Sequence, residues 1–406
     1  MDVLFIHNNF PAQFLHLAPR LQARGARCFA IGSHTARDLG FPLKRWKLNR
    51  GTTPGLFPLA TRAEADLLRA RAAAACAVDF RNEGFDPALI IGHPGWGEPL
   101  LMKEVFPEAR QIAYAEYFYH STGTDVDFDP EFQKTPALDD RFRVYAKNMC
   151  FGLAYGEADA IVSPTAFQAG QLPATFRAKT SVIHEGVDID QIRPRPEARF
   201  VLPDGRVLDR STPVITYVSR RFEHVRGFHI FMRALPRLLQ ARPDVQVLIV
   251  GTDSTNSYQG EVKDGVTFKQ RMLQELGDRL DHSRLHWTGH VPFDRMLDAM
   301  AVGRAHVYYT SPFVLSWSLL DAMAMGCLVL GSDTPPLREV IRHGENGLLH
   351  DFFDVDALSE AMIRACETPQ AFEPLRAAAR RTIVDRFDRE RQCLPAWLRL
   401  VDEVLG

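Results

Sequence analysis

Long apolar runs are missing from this chain. None of its 406 residues lies in a stretch approaching the roughly 20 consecutive apolar residues that cross a bilayer. The opening MDVLFIHNN carries no basic segment ahead of its short apolar run, so a signal peptide is not expected either. An excess of charge is also missing: 48 Lys and Arg face 50 Asp and Glu, a formal net charge of −2. That balance gives no support to a nucleic-acid partner and leaves any attraction to a membrane to a local patch. Cysteine is sparse and unpatterned. Cys28, Cys76, Cys150, Cys327, Cys366 and Cys393 show no CxxC or zinc-type spacing, which reads as buried free thiols in a reducing compartment. No His/Asp/Glu spacing argues for a bound metal. A soluble, cytoplasmic protein is the expectation.

What is present is an alternation of short apolar runs with longer amphipathic stretches, the pattern of βαβ units around a parallel sheet. Val3 to Ile6, CFAIG (28–32), Ala88 to Gly92, Gln111 to Ala115, Ala160 to Ser163 and Thr180 to Ile183 read as one set of strands. A helix is expected through PAQFLHLAPRLQARG (11–25), stopped by Gly25. After the Pro- and Arg-rich stretch IRPRPEARFVLPDGRVLDRSTP, in which VLPDGRVL reads as a hairpin on a DG turn, a second set follows. Its strands are VITYVS (214–219), VQVLIVG (245–251), LHWTG (285–289), AHVYYT (305–310) and CLVLGS (327–332). The length suits two domains, expected at 1–190, with a returning C-terminal helix at about 388–406, and at 191–387.

Five stretches carry chemistry. VIHEGVDIDQIRP (182–194) is a strand end, a Gly turn, an acidic loop and a proline. In SRRFEHVRGFHIFMRALPRLL (219–239), Arg221 and Arg226 stand five residues apart at a helix start. They are either a clamp for a diphosphate, which a helix N-terminus and guanidinium groups favour, or surface cations with carboxylate partners. HVYYTSPFVLSWSLLDAMAMGCLVLGSDTPPLREVI (306–341) is strand, loop, helix and strand, with Ser316, Trp317 and Ser318 at the turn and Asp321 inside the helix. HNNFPAQF (7–14) offers Asn8, Asn9 and Gln13, whose amides suit sugar hydroxyls or simply start a helix. His93, Glu98, Glu116 and His120 follow two strands at the carboxyl edge, where open α/β sheets bind ligands; structural hydrogen bonding is the competing role for the two histidines.

These stretches resemble glycosyltransferase family 4. The first is similar to that family's interdomain signature, the third to its most diagnostic segment, and HGENGLL (343–349) to the loop after the last catalytic helix. The resemblance covers nearly the whole chain. It implies a GT-B architecture, two Rossmann-like α/β domains facing across a cleft, and a retaining, metal-independent glycosyltransferase without a cofactor. The C-terminal domain would hold a nucleotide-sugar donor and the N-terminal domain a glycan, lipid-linked or protein acceptor, with peripheral association at a membrane's inner face as a further expectation. Donor contacts would fall to Arg221, Arg226 (where the family has Lys), Gly251, Val291, Ser316, Trp317, Ser318 and Asp321 (where it has Glu). Phe313 stands where the family has its other Glu. Asn8, Asn9, Ala12 and Gln13 would form the acceptor or phosphate loop. Glu116 is the nearest match to a functional His of the family, with His93 and His120 as substitutes. The stretch 251–270 would be a lid or a surface loop, and Glu185 to Pro194 and the helix around Pro395 and Trp397 the crossings between domains. A nucleotide-sugar epimerase of this architecture and a non-catalytic sugar-nucleotide-binding protein remain alternatives.

Overall fold

The computed structural model describes residues 1–132, 137–257, 260–261 and 264–406. Each half of the chain builds its own parallel sheet. The first contains β1 (Asp2–Ile6), β2 (Arg27–Gly32), β3 (Leu43–Arg45), β4 (Leu89–Gly92), β5 (Arg110–Tyr114), β6 (Ala160–Ser163) and β7 (Thr180–Val182), in the spatial order β3-β2-β1-β4-β5-β6-β7. Antiparallel β8 (Arg199–Val201) and β9 (Val207–Asp209) form the hairpin read from the DG turn. The second sheet contains β10 (Val214–Arg221), β11 (Gln246–Thr252), β14 (Leu285–Gly289), β15 (Ala305–Tyr308), β16 (Val329–Ser332) and β17 (Leu348–His350), ordered β14-β11-β10-β15-β16-β17. Between β11 and β14, β12 (Asn256–Ser257) pairs with β13 (Gly260–Glu261). The lid expected at 251–270 lies in part outside the described residues.

Both large sheets begin in the middle, run outward to one edge, return, and run outward to the other. Central strands are apolar along their length because both faces are covered: Val3, Leu4, Phe5 and Ile6 are all fully buried, as are Val247, Leu248 and Ile249. The longest helix, Thr61–Asn82, buries Ala70, Ala73, Ala77 and Phe80. Its inward face is built mostly of alanine, so the apolar contrast that marks an amphipathic helix in a sequence is weak. The helix expected at 11–25 is shorter, a single 3-10 turn at Ala12–Phe14 followed by Leu17–Ala23, and Gly25 at φ +88° ends it.

The chain divides into two compact units, Met1–Thr122 with Thr135–Gly186 and Arg389–Gly406, and Gly123–Lys134 with Val187–Asp388. Two boundaries differ from the sequence expectation. Val187, Ile189 and Ile192 join the second unit's core, and Arg380 donates to the carbonyls of Ile189 and Ile192 at 2.8 and 2.7 Å, so the division falls at Gly186 and not at 190. The segment from Gly123 belongs to the second unit. Asp129 meets His229 at 3.1 Å, Glu131 pairs with Arg233 through two 2.7 Å bonds, and Phe132 stacks on His224. The C-terminal helix Leu394–Leu405 packs in the first unit, where Trp397 stacks on Tyr114.

Gly186 is a packing contact more than a swivel. At φ +83° a Cβ placed on it would lie 2.5 Å from Arg389 Cα. Gly205 has φ +86° with open space around it. We expect Gly205→Ala to lose only the left-handed strain, about 1–2 kcal/mol, and Gly186→Ala to lose about 2–4 kcal/mol because overpacking adds to it, measured by urea unfolding.

Candidate functional site

In an open parallel sheet, ligands collect outside the carboxyl ends of the strands where the order reverses. In the second unit that point lies between β10 and β15. Arg226 sits on the 3-10 turn His224–Arg226, just ahead of Gly227 and the helix Phe228–Ala241. Gly227 has φ +62° and passes so near Tyr309 that an added Cβ would lie 2.3 Å from Tyr309 Cβ. The Arg226 guanidinium donates through Nη1 to Thr310 Oγ1 at 2.9 Å and to the Val314 carbonyl at 2.8 Å, with Tyr308 Oη at 3.4 Å. Tyr308 Oη also accepts from the Ser316 amide at 2.7 Å. One tyrosine hydroxyl therefore ties Arg226 to the start of the helix Trp317–Ala324, where Ser316 Oγ accepts from the Ser318 amide.

Arg226 has no carboxylate partner among the described residues, and Arg221, at the end of β10 beside Thr252 of β11, makes no side-chain hydrogen bond or ion pair to any of them. The surface ion-pair role weighed for these arginines is thus not what the structure contains. Gly251 lets β11 approach β10 closely, because a Cβ there would stand 2.2 Å from Ser219 O. Val291 is half-buried against the unit's core, and Trp317 is half-exposed. Phe313 is buried, 5.8 Å from the Arg226 guanidinium carbon to its ring centroid.

Asp321 is the unusual group. It lies one turn into the helix Trp317–Ala324, is 7% exposed, and its carboxylate accepts no hydrogen bond from any described residue. Burial pushes its pKa from 3.8 up to about 7. A buried carboxyl without donors is poised for a ligand that brings hydroxyls.

In the first unit the order reverses between β1 and β4, and the residues that follow them are His7 and His93. Their ring centroids are 4.8 Å apart, and Trp96 lies 5.3 and 5.2 Å from them. His7 Nδ1 accepts from the Asn9 amide at 2.9 Å and His93 Nδ1 from the Gly95 amide at 3.0 Å, so in the neutral rings Nε2 carries the proton. Burial, followed by repulsion from His93, holds His7 well below the usual histidine range. His93 Nε2 stands 3.5 Å from one Glu116 oxygen, and Gln13 Nε2 donates to the other at 3.3 Å. Three residues singled out from the sequence, Gln13, His93 and Glu116, therefore meet.

The other marked residues have contacts of their own. Asn9 Oδ1 accepts from Thr35 at 2.5 Å and from Asn8 at 3.4 Å. Ala12 has φ +39°, the one positive value of a non-glycine among the described residues, so the glycine-free loop still takes a backbone shape that glycine adopts without strain. His120 Nε2 bonds the Gln171 carbonyl at 2.8 Å. Glu98 is buried beside Asp66, Arg62 and Arg69, and burial pushes it up to about 7.

That last cluster explains why the His93 loop is held. Fully buried Asp66 pairs with Arg62 and Arg69, and these donate to the carbonyls of Gly95 and Trp96. Trp96 and Tyr114, which stacks on His93 at 5.5 Å, stand outside the residues marked by the sequence patterns; an aromatic next to a strand end was the available signal.

Two family models match the chain, the glycosyl transferase family 4 group over residues 24–192 and the glycosyl transferases group 1 over residues 212–368. The chain is similar to the phosphatidyl-myo-inositol mannosyltransferase of Mycolicibacterium smegmatis, at 30% identity over 192 residues, 46% of this chain and 43% of that protein. It spans about half the length of the curated relatives it matches. Among solved structures it resembles sucrose-phosphate synthase from Thermosynechococcus elongatus (TM-score 0.72, 17% identity, 100% of this chain and 99% of that one). It also resembles HepE from Anabaena in complex with UDP and glucose (TM-score 0.67, 17% identity, 100% and 99%). These neighbours share the fold of two parallel-sheet α/β domains, GT-B.

The raised pKa of Asp321 has a sign. Below pH 3.8 both folded and unfolded forms are protonated; as pH rises toward 7 only the unfolded form ionises, so stability is lost across that window and stays lost above it. At about 1.4 kcal/mol per unit the full penalty is on the order of 4 kcal/mol. Asp321→Asn should raise the unfolding free energy at pH 8 by about 1–2 kcal/mol once the desolvated amide is counted, seen as a higher melting temperature, and give no gain at pH 4. Equal gains at both values would remove the burial argument.

Proposed function

Because the chain belongs to glycosyltransferase family 4, we propose that it moves a sugar from a nucleoside diphosphate to a hydroxyl acceptor, with retention at the anomeric carbon. The second unit binds the donor and the first the acceptor. The observation that carries this reading is the chemistry at the β10/β15 reversal: two guanidinium groups without carboxylate partners, and a buried carboxylate without hydrogen-bond donors. A nucleoside diphosphate complements both, its phosphates meeting Arg221 and Arg226 and its ribose hydroxyls meeting Asp321.

In the reaction the bond between the anomeric carbon and the diphosphate oxygen breaks, and a bond from the acceptor oxygen to that carbon forms. Negative charge grows on the departing diphosphate. Arg221, Arg226 and the amides at the start of the helix Trp317–Ala324 take that charge, which is where preorganised donors lower a barrier most; no metal or cofactor is assigned a part. The acceptor hydroxyl loses a proton, and Glu116 is the group to receive it. Gln13 donates to one Glu116 oxygen, His93 Nε2 stands 3.5 Å from the other, and the Asp66 cluster holds the His93 loop. The phosphatidyl-myo-inositol mannosyltransferase resemblance supports a hydroxyl on a lipid-linked acceptor, and the HepE complex with UDP and glucose supports a nucleotide-sugar donor.

Arg221→Ala tests the donor half cleanly, because this side chain supports nothing else among the described residues. A thermal-shift screen with UDP, GDP and ADP would select the nucleotide, since ligand at 100 times its dissociation constant stabilises by about 2.7 kcal/mol. Calorimetry should then show Arg221→Ala binding that nucleotide about 1.5–3 kcal/mol more weakly, with an unchanged melting temperature in its absence. Unaltered affinity would remove Arg221 from the site, and no binding of any nucleotide by the parent protein would end the reading.

A further inference from the structure

Between Leu138 and Leu153 a second apolar face points away from the core. Leu138, Phe142, Tyr145, Met149 and Leu153 stand three or four residues apart and are 61%, 45%, 81%, 52% and 58% exposed. They lie on the helices Leu138–Lys147 and Met149–Glu157. The first of these buries none of its residues, and the second already packs Cys150, Phe151, Ala154 and Tyr155 inward. An apolar stripe at helical spacing belongs against something apolar, and among the described residues these five side chains stay exposed.

Charge says what does. Arg141, Arg143 and Lys147 interleave with the stripe, against Asp139 and Asp140 at the helix start. Arg143 is paired with Asp140 at 3.3 Å, Lys147 lies over the Tyr119 ring at 3.3 Å, and Arg141 has no hydrogen bond or ion pair to any described residue. The stripe is one side chain wide and runs across two consecutive helices that meet at Asn148. A line of that shape flanked by cations suits a helix lying in a bilayer interface; a stable dimer needs a broad patch of about 800 Å² on each partner.

A cavity of about 440 Å³ opens on the same face. Tyr145 and Met149 belong to both its wall and the stripe, and Phe118, Tyr119, His120 and Arg141 complete most of the lining. The loop that forms its far wall begins at Glu116. Asn148 fixes that loop to the helices, donating to the Tyr119 carbonyl at 2.7 Å and accepting from the Tyr119 amide at 3.0 Å.

We propose that this face docks on an anionic lipid surface and that the cavity receives one of its lipids, the apolar part against Phe118, Tyr145 and Met149 and the negative head on Arg141. The docking rests on the stripe and its cations alone. The lipid's part as the hydroxyl acceptor rests on the proposed transferase reading.

Co-sedimentation of the full chain with phosphatidylcholine vesicles, with and without phosphatidylglycerol, tests the docking in the absence of nucleotide. Binding should be at least about tenfold stronger to the anionic vesicles and should weaken as salt rises. The triple variant Leu138→Ser, Phe142→Ser, Leu153→Ser, which leaves the cavity lining intact, should lose at least about tenfold in vesicle affinity, roughly the worth of one or two buried side chains. Its melting temperature and nucleotide affinity should be unchanged, which separates loss of docking from loss of fold. Arg141→Ala should narrow the difference between the two vesicle types. No binding to anionic vesicles, or a triple variant that binds as the parent does, overturns the proposal. So does a concentration-dependent dimer in sedimentation velocity that the triple variant abolishes, since the stripe would then cover a second copy. Nucleotide binding measured without vesicles reports on the transferase reading separately, so the two can fail independently.

Discussion

Where neighbouring parallel strands send their outgoing chains to opposite faces of a sheet, no helix covers the gap between their ends, and the backbone there stays open to a ligand. Both sheets of this protein have that arrangement at their centre, between β1 and β4 and between β10 and β15. The surrounding structure is shaped by it. Each central strand is buried on both faces, so polar function cannot sit along a strand and is displaced to the first residues beyond it: His7 after β1, His93 after β4, and Arg226 on the turn that follows β10. The loops that carry these groups are then held by tight approaches, Gly227 against Tyr309 in one unit and Gly97 against Asp66 in the other.

The two reversal points carry different chemistry. Among the described residues, the second unit leaves Arg221 and Arg226 without carboxylate partners and Asp321 without hydrogen-bond donors, and burying that carboxyl costs stability in its charged form. The first unit gathers two histidines, an amide and a carboxylate, and leaves His7 Nε2, His93 Nε2 and Gln13 Oε1 buried without a hydrogen-bond partner among the described residues. Gln13 donates to Glu116, His93 stands 3.5 Å from its other oxygen, and an ion cluster around fully buried Asp66, with half-buried Arg62 and Arg69 reaching the carbonyls of Gly95 and Trp96, fixes the loop behind them. Such a cluster contributes little net stability, because desolvation opposes the attraction; its effect is to set geometry.

Much of this was legible in the residues before any coordinates. The alternation of apolar runs and amphipathic stretches specified two parallel α/β units, because buried strands and covering helices leave periodicities of different length. Arg221, Arg226, Glu116 and His93 were marked by their positions after strands or at a helix start, where ligands have access, and Asp321, inside a helix, by the family resemblance. The helix Thr61–Asn82 was not marked, since an inward face of alanine gives little contrast. The allegiance of the segment from Gly123 was invisible for a related reason: it is decided by Asp129, Glu131 and Phe132 finding His229, Arg233 and His224 about a hundred residues away.

By itself, then, the sequence determined the fold class and the identity of most polar groups at the sheet edges, which follow from local periodicity and from what stands next to a strand end, while the two-domain architecture and the choice of Asp321 came through the family resemblance. Only the tertiary structure decided which of those groups act together. That Arg226 shares Tyr308 with Ser316, that Asp321 is stripped of donors, that His93 and Gln13 converge on Glu116 while His120 turns to Gln171, and that the face from Leu138 to Leu153 looks outward are all facts of long-range packing. Burial and partnership depend on residues far apart in the chain, and no local pattern encodes them.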